Sequence, residues 1–245
     1  FGLGFKSTLG LGGQIDLFTR SSGVIRFDPA RCRTELASTF KVENVPGLRL
    51  AWPLLDDDRG NDPVLGQLSW AETVVRLTIT EPTVLGHLRL EIRSFPAEFL
   101  LFLPVPLSLT LDDGEAPPRA LSLEEDGECR VLLDSGKAST WRVSTREIRI
   151  TDRQAIADAT AITARDSVPL AWATPLDARR EEAGRFWAFF PTDTPTYLPG
   201  ILNAPWKVSS DRNSIIGGEW NSVLMKEAGS LVVDMLQCLS TPADP

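Results

Sequence analysis

The sequence predicts an α+β protein with a mostly antiparallel sheet and a long C-terminal helix. Three observations carry that expectation. Between Leu107 and Ile150 four segments alternate apolar and polar residues, and each is bounded by Gly, Pro or Asp. From Glu219 to Leu239 the apolar residues Trp220, Val223, Leu224, Ala228, Leu231, Val232, Met235 and Leu236 recur at helical spacing. Near the start, IDLFTR and GVIRFDP are apolar runs parted by a short Ser-Ser turn, which reads as a hairpin.

The elements follow in order. Phe1 to Gly13 is glycine-rich and enters a helix near Phe5. After the hairpin, residues 46–63 are rich in Pro and Asp and read as a loop around a short strand. Asp62 before Pro63 is a helix start, so residues 62–70 hold a short helix. Residues 72–80, ETVVRLTIT, are dense in β-branched residues and form a strand. EPTVLG marks a boundary, giving one domain over residues 1–86 and a second over 87–245. In HLRLEIRSFPAEFLLFLP the second part is a helix with Pro96 in its first turn. The meander LSLTLDD, RALSLEED, ECRVLLDSG and STWRVSTREIRI comes next. Residues 152–165 read as a helix, and VPLAWATPL and GRFWAFFPT as one strand each.

Composition narrows the function classes. The 245 residues carry a net charge of −8, which argues against a broad nucleic-acid-binding face. Cys32, Cys129 and Cys238 are widely spaced and lack metal-type spacing; they read as reduced, mostly buried thiols in a cytoplasmic protein. A single histidine, His87, leaves no His-rich metal site, and no segment has the length and apolarity of a membrane span. Asp56 to Asp58 read as a solvated acidic turn, and the seven tryptophans as packing residues.

FGLGFKST raises the question of a phosphate cradle. A P-loop needs glycine directly before Lys-Ser/Thr, and Phe5 stands there instead. The physics of the segment is still that of an anion site. Glycines let the backbone approach a ligand, and a helix start aims free N–H groups at it. FGLGFKST resembles the second glycine box of the GHKL ATPases, the superfamily of gyrase, the large heat-shock chaperone, histidine kinases and the mismatch-repair ATPases. ETVVRLTI is similar to the strand carrying the family's last nucleotide-domain motif. FFPTDTPTYLPGILNAPWKVSSDRNSI resembles the arginine-bearing middle-domain segment of the sacsin-like branch.

That resemblance implies a partial GHKL nucleotide-binding fold, a two-layer α/β sandwich, followed by an α+β transducer-like domain. It implies ATP as ligand, bound by Gly2, Leu3, Gly4, Phe5, Lys6 and Ser7 at the phosphates and by Thr73 near the adenine. It implies Arg212, with Lys207 as second choice, as the cation meeting the terminal phosphate on domain closure. Magnesium, its asparagine ligand, the general-base glutamate and the adenine-binding aspartate belong upstream of the glycine box, outside this sequence. The family usually has glycine before the motif threonine; Glu72 stands here. The implied activity is ATP hydrolysis with protein clients or partner subunits, chaperone-like or in bacterial defence against foreign DNA, and is compatible with a homo-oligomer. The rival expectation is a non-catalytic interaction scaffold that keeps the fold.

Overall fold

The computed structural model describes residues 13–20, 23–39, 50–53, 62–159, 165, 167–176 and 184–239. The chain forms two compact units, divided between Glu91 and Ile92. The sequence places the division between Gly86 and His87, inside the same helix.

The first unit is built on a four-stranded antiparallel sheet. Its strands are β1 (Gln14–Thr19), β2 (Gly23–Phe27), β3 (Trp52–Pro53) and β4 (Thr73–Thr78), in the order β3-β2-β1-β4. The expected hairpin is the β1–β2 pair. Helix α1 (Pro29–Thr39) follows β2, and the short α2 (Pro63–Gln67) precedes β4. Asp62 caps α2 by accepting hydrogen bonds from the N–H groups of Val64 and Leu65 at 3.0 and 3.2 Å. Leu65 of α2 packs with Phe18, Val24 and Val74, which lie opposite one another across β2, β1 and β4.

The same sheet face carries a charge. Two residues before Phe18, Asp16 points to the same side. Its side chain is 1% exposed and lies in register between Arg26 and Arg76. Arg26 donates to it at 2.6 and 3.0 Å, and Arg76 at 3.2 and 3.0 Å. Arg76 also reaches Asp62 and lies 4.9 Å over the Phe18 ring. Burial opposes ionisation of Asp16, but the bonds from Arg26, Arg76 and Gln14 outweigh it and hold the carboxyl below its ordinary range.

Helix α3 (Pro82–Arg93) overrides the expected boundary at EPTVLG. HLRLEIR fits a strand by alternation and a helix by the spacing Val84, Leu88, Ile92. Pro82 in the first turn, where its missing N–H has no partner to lose, favours the helix.

The second unit is built on an eight-stranded sheet. Its strands are β5 (Ser108–Leu111), β6 (Arg119–Asp126), β7 (Cys129–Asp134), β8 (Lys137–Arg149), β9 (Ser167–Pro175), β10 (Arg185–Ala188), β11 (Phe190–Pro195) and β12 (Ile201–Asn203). Their order is β11-β10-β12-β9-β8-β7-β6-β5, antiparallel except for β10 beside β12. The meander read from the sequence is β5 to β8. The turn joining β7 to β8 has Ser135 at φ 49° and Gly136 at φ 85°, the two positive angles that match strand twist in a two-residue hairpin. A 3-10 helix (Ala97–Phe102) stands where the helix after Pro96 is expected. The short α4 (Arg153–Asp158) covers the start of residues 152–165, and α5 (Glu219–Leu239) has the bounds read from the sequence.

Alternation along the strands feeds two cores on opposite faces. Leu170 and Trp172 of β9, Phe186 of β10 and Leu202 of β12 join Trp206 and the α5 residues Trp220, Leu224, Ala228 and Leu231. Their neighbours Ala173, Trp187 and Ile201 turn the other way and meet Leu100, Leu101, Leu121 and Trp141. Adjacent residues in β9, β10 and β12 therefore serve different cores, so a one-residue slip would exchange both sets at once.

Three expectations are corrected. GRFWAFFPT is two strands, not one. The chain reverses at Phe189, at φ 67°, where the Phe189 N–H bonds the side chain of Asn203 at 3.0 Å. Trp70 is 78% exposed and so is no packing residue in its unit, whereas Trp141, Trp172, Trp187, Trp206 and Trp220 are buried. Leu236 is half exposed although its spacing fits the α5 apolar stripe. The thiols of Cys32 and Cys129 are unpaired, the first buried and the second half-buried. No described helix is long and apolar enough to cross a membrane.

Candidate functional site

The segment from β12 to α5 is built up from two buried indoles. Trp206 packs edge-on against Phe186 at 5.2 Å, and its indole N–H donates to the Leu202 carbonyl at 3.3 Å. Trp220, at the start of α5, donates to the Pro205 carbonyl at 2.9 Å. These anchors fix both ends of the stretch that holds Lys207 and Arg212.

Lys207 is held by three contacts to two residues, Asn221 and Asp158. Its N–H donates to the side-chain oxygen of Asn221 at 2.8 Å, and the Asn221 amide donates back to the Lys207 carbonyl at 2.7 Å. Its ammonium pairs with Asp158, the last residue of α4. The same carboxylate accepts the Trp220 N–H at 3.2 Å. The bond from Lys207, then that from Trp220, keeps the Asp158 carboxyl below its ordinary range. Gly218 makes this close approach feasible: a Cβ there would lie 2.2 Å from an Asp158 oxygen.

Beyond Lys207, Val208 and Ile215 form a bridge and the chain closes a six-residue tip, residues 209–214. The tip is a web of short-range bonds. The Ser209 N–H donates to the Ser214 carbonyl at 2.8 Å, and the Ser214 N–H to the Ser209 hydroxyl at 3.0 Å. That hydroxyl donates in turn to Asp211, whose carboxylate also accepts the Asn213 N–H at 3.1 Å. These bonds, the Ser209 hydroxyl first, lower the Asp211 pKa. The tip is tied to the sheet edge by Asp193 N–H to the Asn213 carbonyl at 2.7 Å and Ile215 N–H to the Thr194 hydroxyl at 3.1 Å.

Arg212 stands at the apex with φ 63°, a left-handed angle that costs a side-chain-bearing residue about 1–2 kcal/mol. Its N–H bonds the Ser209 carbonyl at 2.9 Å. Its guanidinium is exposed and has no carboxylate partner among the described residues. The two cations singled out from the sequence are thus in different states. Lys207 is consumed by Asp158, while Arg212 is presented without a carboxylate partner among the described residues, on a hydrogen-bonded tip at a positive φ.

The remaining site residues fall in the first unit. Gly2, Leu3, Gly4, Phe5, Lys6 and Ser7 lie outside the described residues, as do Asp56 to Asp58. Thr73 opens β4, is exposed, and faces Thr19 across the sheet. Glu72 before it makes an exposed ion pair with Arg20 at 3.6 Å, a contact worth at most about 1 kcal/mol. Among the described residues no group of three or more His, Cys, Asp or Glu side chains is arranged to hold a metal ion.

Sequence reasoning passed over Asp158, Asn221 and Asp16. Asn221 carried a usable signal, a polar residue between Trp220 and Leu224 on the apolar face of α5. Asp16 carried another, an acid two residues from Phe18 and so on the same strand face. Asp158 carried none, because its partner lies 49 residues away.

No family model, no curated protein and no solved structure matches this chain.

Proposed function

We propose that this chain is an ATP-binding module of the sacsin-like GHKL type, in which Arg212 meets the terminal phosphate. The observation that supports this reading is the state of Arg212. A guanidinium without a carboxylate partner, on a tip held by its own side-chain bonds, is an anion receptor formed before the anion arrives. Backbone strain retained at an exposed tip is a feature of functional sites. Lys207 is the poorer candidate, since freeing its ammonium would strand Asp158.

The residues available fit a triphosphate in chemistry. Gly2, Leu3, Gly4, Phe5, Lys6 and Ser7 are assigned to the phosphates and Thr73 to the adenine. ATP supplies the anhydride whose hydrolysis the family performs; Arg212 supplies positive charge to the oxygen atoms of its terminal phosphoryl group. Magnesium and the general base are assigned to residues that precede the glycine box. The setting is cytoplasmic, with protein clients in chaperone-like remodelling or in bacterial defence.

Arg212→Ala tests the proposal in a protein that joins this chain to the family's upstream boxes. Turnover of ATP is expected to fall at least about tenfold while nucleotide affinity changes less, the signature of a transition-state contact. Arg212→Lys restores only part, because it keeps the charge and loses the planar fork. Arg185→Ala, on an exposed residue at the start of β10, is the control and leaves turnover near normal. Normal turnover in Arg212→Ala sinks the assignment. Absence of any ATP binding favours the second reading, a scaffold without turnover, for which Glu72 in the glycine position speaks.

A further inference from the structure

We propose that the chain pairs with a second copy of itself across the N-terminal half of α5. An open groove of about 530 Å³ lies there, lined by Ile215, Ile216, Gly217, Gly218, Ser222 and Met225 among others. Ile216 is 36% exposed and Met225 41%, so the groove presents apolar surface to water. Two charges flank it. Glu219 and Lys226 are both exposed, and neither has a partner among the described residues.

The spacing of those charges names the occupant. They stand seven residues apart on α5. In a helix that is about 10.5 Å along the axis and only about 20° around it, so both lie on one side and are too distant to pair with each other. A two-fold axis perpendicular to α5, passing between Ser222 and Val223, exchanges positions 219 and 226. Each Lys226 then faces the copy's Glu219, and the pairing occurs twice. The same operation brings each Met225 level with position 220 of the copy, within the first turn of its α5 and near Ser222, whose small side chain leaves room for it. Ser222, small and next to the axis, lets the helices approach to the usual 8–10 Å or so. A surface complementary to itself in both charge and shape is what a two-fold interface requires.

The chain's net charge of −8 opposes self-association, so the two ion pairs act chiefly as register and specificity. One groove and a few helical turns give an interface at or below the small end of stable ones, about 1,200 Å² in total. The dimer is therefore expected at micromolar or weaker affinity, in exchange with monomer.

Sedimentation velocity over a concentration series of this chain is the test. The wild type is expected to shift from monomer to dimer below about 1 mM. Lys226→Glu alone and Glu219→Lys alone each raise the dissociation constant at least about tenfold, because each creates two like-charge contacts. An equimolar mixture of the two variants regains the dimer as a heterodimer, since every contact is again opposite in sign. Met225→Asp removes the dimer with an unchanged circular dichroism spectrum. A monomer at every concentration, a dimer indifferent to both single reversals, or a mixture that stays monomeric overturns the proposal.

Discussion

Replacing Asp16 by alanine strands two guanidinium groups on one sheet face. Asp16 accepts four bonds from Arg26 and Arg76, at 2.6, 3.0, 3.2 and 3.0 Å, with a side chain 1% exposed. Removing one partner of a buried pair costs about 3–5 kcal/mol, most of it the charge left without compensation. The side chains of Arg26 and Arg76 are 28% and 34% exposed, so water recovers part of that loss and the lower end applies, about 3 kcal/mol. Hydrogen exchange of peptides from β1 and β4 reads this without interference from the second unit. At 1.36 kcal/mol per decade the exchange should quicken by about 100-fold. The sign with pH follows from the depressed carboxyl. Near pH 4 the unfolded chain binds the proton more readily than the folded one, so this contribution is full above that pH. It fades as pH falls through the folded pKa, and the gap between wild type and Asp16→Ala closes there. Asp16→Leu combined with Arg26→Met and Arg76→Leu should restore part of the protection, because an apolar set of similar size needs no counter-charge while Asp62 loses its Arg76 partner. Acceleration below about fivefold in Asp16→Ala would show that the two arginines are fully hydrated without it, and the account of the cluster would fail.

Gly200→Ala should unfold the second unit or cost well over about 3 kcal/mol, because the added Cβ would lie 2.1 Å from the Ala173 carbonyl oxygen at φ 91°; the urea midpoint of the five buried tryptophans reports it. Ser135→Asn should raise stability by about 0.5 kcal/mol, since asparagine tolerates the positive φ of this hairpin better than serine, and thermal unfolding checks it. Lys207→Met should destabilise the second unit by removing the counter-charge of Asp158, and Asp158→Asn in the same chain should restore part of the loss; calorimetry of the single and double variants measures the coupling.

Local signals alone determined much of this protein. Asp62 before Pro63 announced α2, the β-branched run of β4 announced a strand, and the apolar spacing of α5 located both its ends. These features are governed by contacts within a few residues, which is why the chain's own order displays them. Other features were decided only when distant segments met. GRFWAFFPT turns back at Phe189 because Asn203 waits to accept its N–H, and nothing near Phe189 in the chain foretells that bond. HLRLEIR satisfied two periodicities, and Pro82, outside that run at the start of the same helix, favours the helical one. Trp70 and Leu236 sit where composition expects core, yet burial depends on whether another surface arrives to cover them. The contrast between Lys207 and Arg212 was equally hidden. Both are cations in one polar stretch, and only Asp158, brought in from α4, neutralises the first, while the second has no carboxylate partner among the described residues. Charge pairing across long separations is a property of the folded surface, because the energy of two charges depends on their distance in space and not on their distance along the chain.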